Sequence, residues 1–163
     1  MKYFYLNTSL YKYIMNNITK EHRYQELLKS LRFYKKELPE KDEYVYALIK
    51  NFTSMGIECY LYEYKKNAFL SYKDASSSRK LKNIKKEVIK NKDYVLTAIN
   101  IDTIKGFIDV DKRSTDIDTE KTISSLILFY QKIFNIFLQK LVFKYPTKTI
   151  PEIYNFFEKT LWR

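Results

Sequence analysis

The feature that most constrains the fold is a long segment near the C-terminus in which apolar side chains occupy most sides of a predicted helix. From about Thr119 to Lys144 the apolar residues recur at helical spacing around nearly the whole circumference. The narrow polar strip that remains is made by Ser125, Lys132, Asn135 and Gln139. A helix of this kind has to be buried in a core, in a partner or in a membrane.

A central position in the core is the expected arrangement for this helix. Lys132 and Asn135 stand at mid-span, where a membrane would exclude them, so no membrane contact is expected. The residues expected to be most deeply buried are Phe134, Phe137, Leu138 and Leu141. The alternative is a homodimer or another partner contact through the helix 119–144.

The remainder of the chain predicts several helices and two hairpins. Val45, Leu48, Ile49 and Phe52 follow a 3-4 rhythm, which predicts a helix that Asp42 caps and Gly56 closes. Period-two alternation predicts one hairpin over 57–65 and 68–73, and a second over 94–101 and 107–111. A short aromatic strand is predicted at Lys2–Leu6, and further helices over 19–38, along 79–92 and from Thr149. The predicted class is α+β: a helix-rich single domain over 1–163, with a small antiparallel sheet of two hairpins and a long, largely buried C-terminal helix.

Composition places the chain among ordered intracellular proteins. Its 163 residues are 45% hydrophobic and 17% aromatic, which excludes intrinsic disorder and suffices for a substantial core. Cys59 is the only cysteine, and no signal peptide precedes the first apolar residues, so we expect a reducing, cytoplasmic compartment. Cys59 itself lies on an apolar stretch and is expected to be a buried filler.

Positive charge is concentrated in the N-terminal part of the chain. Residues 1–92 carry 20 Lys and Arg against 10 acids, whereas residues 93–163 carry 10 against 9. The excess culminates in 79–92, where Glu87 is the single acid. The seven basic residues there are Arg79, Lys80, Lys82, Lys85, Lys86, Lys90 and Lys92. A positive surface of this kind attracts polyanions, of which nucleic acid is the commonest in a cell.

The spacing within this stretch favours phosphate contacts from one helix face. On a helix, Arg79, Lys82, Lys86 and Lys90 would lie within about 80° of arc in a row roughly 16 Å long. Solvated faces usually mix Glu with Lys, and here only Glu87 does so. The alternative is a merely solvated basic face, because 25 of the 30 basic residues are Lys and an A/T-rich genome would produce that bias.

Aromatic residues add a second candidate for nucleic-acid contact. Tyr60, Tyr62 and Tyr64 point to one side of the predicted strand, and the hairpin places Phe69 beside them. Exposed, they would form a platform on which single-stranded bases stack. Buried, they are a hydrophobic face with hydroxyls at its rim, and burial is the expectation.

Two acidic groups and one histidine could support chemistry. Glu63-Tyr-Lys65, with Glu58, resembles the acid-x-Lys element of restriction-type nucleases, which hold Mg²⁺ on clustered carboxylates; the competing interpretation is a salt bridge at the rim. His22 is the only histidine, so zinc sites and histidine-dependent triads lack the partners they need.

The second acidic group lies between the predicted sheet and the long helix. Its members are Asp109, Asp111, Asp116 and Asp118, and hard cations prefer such oxygen ligands. Residues 116–119 also fit a loop that places negative charge at a helix N-terminus. We expect no bound metal, no cofactor and no catalysis.

The function that these features favour is that of a non-enzymatic nucleic-acid-binding protein. It would belong to a virus, a phage or a mobile element with an AT-rich genome, and it would contact phosphates through the basic helix 79–92. The alternative is a protein-binding inhibitor of a host defence or regulatory complex, itself a nucleic-acid-binding assembly. A metal-dependent nuclease is the third candidate.

Overall fold

The computed structural model describes residues 8–76 and 80–160. The predicted strand Lys2–Leu6 and the predicted contact residue Arg79 lie outside the described residues. The chain forms two compact units. One comprises Arg32–Gln131, and the other combines 8–31 with 132–160.

Five strands close into a barrel in the unit Arg32–Gln131. They are β1 (Tyr44–Phe52), β2 (Gly56–Leu61), β3 (Lys66–Ser71), β4 (Asp93–Asp102) and β5 (Phe107–Asp111). Their order around the barrel is β1-β2-β3-β5-β4, and β4 pairs back onto β1. The pairs are antiparallel except for the parallel pair β3–β5.

Helices occur before, within and after the barrel segment of the chain. They are α1 (Thr8–Ser30), α2 (Tyr72–Ala75), α3 (Leu81–Glu87), α4 (Ile117–Lys144) and α5 (Ile150–Thr160). The short helices α2 and α3 form the connection between β3 and β4. Five strands in this order, with a helical connection after the third strand, give an OB-type barrel.

Alternating side chains build the interior of the barrel. Val45, Ala47 and Ile49 on β1 are fully buried, as are Ile57, Cys59 and Leu61 on β2. Because successive side chains of a strand point to opposite faces, the residues between them lie on the outer surface. Burial raises the pKa of the Cys59 thiol to about 12, so this cysteine is an inert filler as expected.

The helix predicted from Asp42 to Met55 is wrong, because this segment forms β1. Its apolar residues fit the 3-4 rhythm, but those that enter the core are Val45, Ala47 and Ile49, at period two. Gly56 closes no helix. It opens β2, where an added Cβ would lie 2.8 Å from the Leu70 carbonyl oxygen and would overlap the Phe69 ring.

The predicted fold class is therefore wrong as a whole. Both hairpins are present, as β2–β3 and β4–β5. They are parts of a closed barrel, because β1 bridges β2 and β4 while β3 pairs with β5. That last pairing joins Phe69 to Asp109 and Leu70 to Val110, residues about 40 positions apart, which no local pattern could reveal.

The long helix α4 is present but is not largely buried. Its buried side chains are Phe134, Leu138, Leu141 and Val142. Phe137, expected in the core, is 38% exposed, and Phe129 is 56% exposed. By length and composition α4 could cross a membrane, with a mean hydropathy of 1.4 over 18 residues, a property that it shares with core helices of soluble proteins.

Helices α1, α5 and the C-terminal part of α4 make up the second unit. Phe157 of α5 is fully buried, and its ring centroid lies 4.7 Å from that of Phe134. Glu152 caps the start of α5 by accepting hydrogen bonds from the Thr149 backbone N–H (2.7 Å) and hydroxyl (2.9 Å). Aromatic packing of this kind supplies much of the stability of a small helical unit.

Candidate nucleic-acid interface

Three tyrosines form a continuous group on the outer surface of β1, of β2 and of the turn that follows β2. We call it the tyrosine face: Tyr46, Tyr60 and Tyr62. All three are half-buried. The Tyr46 and Tyr62 ring centroids are 5.7 Å apart with a 31° angle between planes, and Tyr60 meets Tyr62 edge to face at 5.8 Å. The alternation that buries Ala47, Cys59 and Leu61 turns Tyr46 and Tyr60 outward.

Asp93 at the start of β4 fixes the orientation of two of these rings. The Tyr62 hydroxyl donates to Asp93 Oδ1 at 3.0 Å, and the Tyr46 hydroxyl donates to Oδ2 at 3.4 Å. Burial, together with the hydrogen bond to Asp93, raises the pKa of Tyr62 to about 12, so the phenol stays neutral at physiological pH. The hydroxyls are engaged at one edge, while parts of the rings remain open to solvent.

Lys50 supplies a positive charge beside the tyrosine face. Its Nζ lies 5.4 Å from the Tyr60 ring centroid and donates to Asn67 Oδ1 at 3.4 Å. Asn67 stands opposite Tyr60 in the β2–β3 pairing. The surface therefore combines partly exposed aromatic rings, an amide and an ammonium group.

The third tyrosine of the predicted platform lies elsewhere. Strand β2 ends at Leu61, and the turn that follows directs Tyr64 into the core, where it is fully buried and its hydroxyl donates to Glu43. Burial was expected for the whole group, but Tyr60 and Tyr62 are partly exposed. Tyr46 was not predicted from the sequence, because the apolar residues of its segment also fit a helix.

The basic helix is shorter than predicted. Helix α3 spans Leu81–Glu87, and its C-cap Val88 is already extended. Asn91 then adopts a left-handed conformation with φ of 61°, so Lys90 and Lys92 are not on the helix. The single row of Arg79, Lys82, Lys86 and Lys90 therefore does not form on one helix. Lys82 and Lys86 are exposed on α3, and Lys80 is exposed at its N-cap.

Three of the predicted lysines are held along the end of β1 instead, and we call them the basic rim: Lys85, Lys90 and Lys92. Lys85 Nζ lies 5.4 Å from the Phe52 ring centroid, and Lys90 Nζ donates to Asn51 Oδ1 at 3.3 Å. The Lys92 carbonyl accepts from the Ile49 N–H at 3.1 Å. Within the described ranges none of the three forms an ion pair with a carboxylate, so their charge faces solvent.

The acidic candidates are placed in ways that serve the fold. Glu63 is buried, and its carboxylate oxygens accept from the Tyr46 N–H at 3.0 and 3.2 Å, whereas Glu58 is exposed on β2. Lys65 lies in the turn after Glu63, where burial lowers the pKa of its ammonium group. The Glu63 carboxyl group is therefore hydrogen-bonded to β1 through the Tyr46 N–H.

The aspartates near α4 are committed to local hydrogen bonds. Asp116 Oδ1 accepts from the N–H groups of Asp118 and Thr119 at 3.0 and 2.9 Å, which lowers the pKa of Asp116 and caps α4. Asp109 accepts from the Asn100 amide, and Asp111 from a backbone N–H. Over residues 8–76 and 80–160, no group of three or more His, Cys, Asp or Glu side chains is placed to hold a metal ion.

The buried carboxyl of Glu63 leads to a prediction about stability. Burial raises the pKa of Glu63 to about 7 against the opposing hydrogen bond from Tyr46, and Glu43 contributes in the same direction as burial. In the unfolded chain this carboxyl ionises near pH 4.5. The free energy of unfolding should therefore fall by about 2.5 kcal/mol as the pH rises from about 5 to 8, because the unfolded state loses its proton first.

Urea denaturation of the Glu63→Gln variant at both pH values tests this prediction. Glutamine keeps an oxygen that accepts from the Tyr46 N–H but carries no charge, so the variant should lose most of this pH dependence and should be more stable than the parent at pH 8. Glu58→Gln, at an exposed position, is the matched control, and its free energy of unfolding should depend on pH as that of the parent does. An unaltered pH dependence in Glu63→Gln would show that Glu63 does not carry the effect.

Comparisons with known proteins identify sequence relatives over about half of the chain. No family model matches the sequence. Eukaryotic translation initiation factor 2 subunit 1 of Dictyostelium discoideum is 32% identical over 82 residues, which are 50% of this chain and 24% of that protein. The protein of the same name from Plasmodium falciparum is 28% identical over 93 residues, 57% of this chain and 28% of that protein. The chain thus spans about a quarter of the length of the curated relatives it matches.

Solved structures extend the similarity to more of the chain. A chain of the a/eIF2alpha–aDim2p–rRNA complex from Pyrococcus horikoshii OT3 superimposes with a TM-score of 0.63 and 24% identity, over 78% of this chain and 77% of that chain. The intact alpha subunit of aIF2 from Pyrococcus abyssi gives 0.53 and 25% identity, over 76% of this chain and 52% of that subunit. In sequence and in fold, this chain is similar to the α subunit of initiation factor 2.

Proposed function

We propose that this protein binds single-stranded RNA through the tyrosine face and the basic rim, and that it does so in translation initiation in the cytoplasm. The observation that carries the proposal is the partly exposed tyrosine face on an OB-type barrel. OB folds bind oligonucleotides on the surface of their second and third strands, where Tyr60 and Asn67 lie. The relatives among initiation factors, and the presence of rRNA in the Pyrococcus horikoshii complex, support RNA as the nucleic acid.

The two surfaces would divide the strand between them. Unpaired bases stack on aromatic rings whatever their identity, so the tyrosine face suits bases. The Asp93 carboxylate at the edge of the face repels phosphates, which therefore run toward the lysines. The proposed phosphate contacts are Arg79, Lys80, Lys82, Lys85, Lys86, Lys90 and Lys92. Ammonium groups act as point charges without the planar fork that reads guanine, so little sequence preference is expected.

An equilibrium binding experiment tests the proposal. Labelled single-stranded RNA of about 12 nucleotides, single-stranded DNA of the same sequence and an RNA duplex are titrated between about 50 and 200 mM salt. Single strands should bind more tightly than the duplex, because paired bases cannot stack on the rings. Seven phosphate contacts would give a slope of log affinity against log salt of about −5.

Three other outcomes would contradict the proposal in different ways. Equal affinity for duplex and single strand would indicate a solvated basic face that attracts any polyanion. Absence of binding at about 50 mM salt would remove RNA as the ligand. Specific capture of a host defence or regulatory complex, without RNA affinity, would favour the protein-binding inhibitor. Origin in a virus, a phage or a mobile element stays a prediction from the A/T-biased composition.

A further inference from the structure

One aromatic ring at the barrel end meets lysines from two separate segments. Lys92 Nζ lies 5.3 Å from the Tyr94 ring centroid, and Lys112 Nζ lies 5.4 Å from the same centroid. Lys92 comes directly before β4, whereas Lys112 comes directly after β5. Lys112 is outside the basic stretch 79–92, and only the fold brings it to Lys92.

The ring that holds the two lysines is fixed in place. Tyr94 is 5% exposed and belongs to the core of the barrel. Its hydroxyl donates to the Glu87 carbonyl at 3.3 Å and accepts from the Ile89 N–H at 3.1 Å. A rigid aromatic face attracts ammonium groups and limits the positions that they sample.

The segment that carries Lys112 is also anchored. The backbone N–H groups of Lys112 and Arg113 both donate to the Asp74 carbonyl, at 3.1 and 3.2 Å. The Arg113 guanidinium donates to the Lys73 carbonyl at 3.1 Å. The two ammonium groups are therefore presented by backbone that is tied to α2 and to β1.

Positive charge at this point has no acidic partner among the described residues. Neither Lys92 nor Lys112 forms an ion pair there. Nearby carboxylates are engaged elsewhere: Asp93 by two tyrosine hydroxyls, Asp74 by the Ser71 hydroxyl and Asp111 by the Arg113 N–H. Because each Nζ lies within 5.4 Å of the same ring centroid, the two ammonium groups are at most about 11 Å apart and add their charges at one place on the barrel.

We propose that Lys92, Lys112 and Tyr94 form a phosphate-binding subsite for the RNA strand that lies on the tyrosine face. This inference rests on the proposed function. Lys92 precedes Asp93, whose carboxylate holds the hydroxyls of Tyr46 and Tyr62. Asp93 thus lies between the tyrosine face and the subsite. The phosphate backbone of an RNA strand whose bases stack on Tyr62 would therefore pass over the start of β4.

The test is the double variant Lys92→Gln/Lys112→Gln, measured with single-stranded RNA against salt. Loss of two phosphate contacts should reduce the magnitude of the log–log slope by about 1.4 and should weaken binding about tenfold near 0.1 M salt. The preference for single strands over duplex should persist, because the tyrosine face is unchanged. Lys92→Arg/Lys112→Arg keeps both charges and should retain the parent slope.

A matched control distinguishes the loss of this subsite from a general loss of positive charge. Lys41 and Lys105 are exposed, and they lie before β1 and in the β4–β5 turn, at the end of the barrel away from Asp93. Lys41→Gln/Lys105→Gln removes the same charge and should leave the slope unchanged. If the two double variants behave alike while the parent binds RNA, the subsite is wrong and the proposed function stands. If the parent binds no RNA, both are wrong.

Discussion

Replacement of Tyr60 and Tyr62 together by alanine should weaken the binding of single-stranded RNA by about a hundredfold or more. Stacking of a base on an aromatic side chain contributes about 1–3 kcal/mol. Two rings therefore account for about 2–6 kcal/mol, and each 1.4 kcal/mol is a factor of ten in the dissociation constant. The measurement is the same anisotropy titration as for the parent protein, at one fixed salt concentration.

Phenylalanine at the same two positions is the matched control for this variant. Tyr60→Phe/Tyr62→Phe keeps both rings but loses the hydroxyl that donates to Asp93. Its affinity should stay within about threefold of the parent if stacking provides the binding energy. The alanine variant should also keep the parent salt slope, since no cation is lost. An equal loss in both variants would assign the effect to the hydroxyls rather than to the rings.

Phe157→Ala should lower the free energy of unfolding by about 3–5 kcal/mol. Phe157 is fully buried on α5 and packs against Phe134, so its removal leaves a cavity as well as lost contacts. A change of this size is comparable to a large share of the net stability of an ordinary domain. Urea denaturation followed by circular dichroism at 222 nm measures it, because the helices dominate that signal.

Phe137→Ala on α4 is the control for the cavity. Phe137 is 38% exposed, so its truncation should cost only about 1 kcal/mol. Equal losses of unfolding free energy in the two variants would contradict the finding that Phe157 is more deeply buried than Phe137. A loss of about 3–5 kcal/mol for Phe137→Ala would instead place Phe137 in the core, as the sequence predicts.

Local sequence patterns predicted those helices and strands whose apolar spacing fits only one type of secondary structure. The hairpins β2–β3 and β4–β5 follow from alternation interrupted by turns, and α4 follows from the helical spacing of apolar residues over 119–144. Strand β1 was not predicted, because the spacing of its apolar residues fits a helix as well as it fits a strand. Those residues are Val45, Leu48, Ile49 and Phe52. Only the burial of Ala47 between Leu61 and Tyr94, its partners on β2 and β4, decides between helix and strand.

The part of the candidate interface that depends on the clustering of basic residues was predictable from the sequence. The part that depends on how the β-strands pair was not. Charge density identified Lys85, Lys90 and Lys92, but a continuous helix was assumed through Asn91, whose left-handed backbone ends that geometry. Lys112 and Asp93 carried no local signal. Their roles arise because the barrel places the start of β4 beside β1 and the end of β5 beside α2.

The most direct test of the central claim observes the tyrosine rings themselves. Selective labelling of tyrosine rings allows their NMR resonances to be followed as single-stranded RNA is added. We expect the ring resonances of Tyr46, Tyr60 and Tyr62 to shift upfield, because stacked bases shield them, whereas those of the buried residues Tyr24 and Tyr154 stay in place. Unchanged resonances of the tyrosine face at saturating RNA would contradict the assignment of this surface as the RNA-binding site.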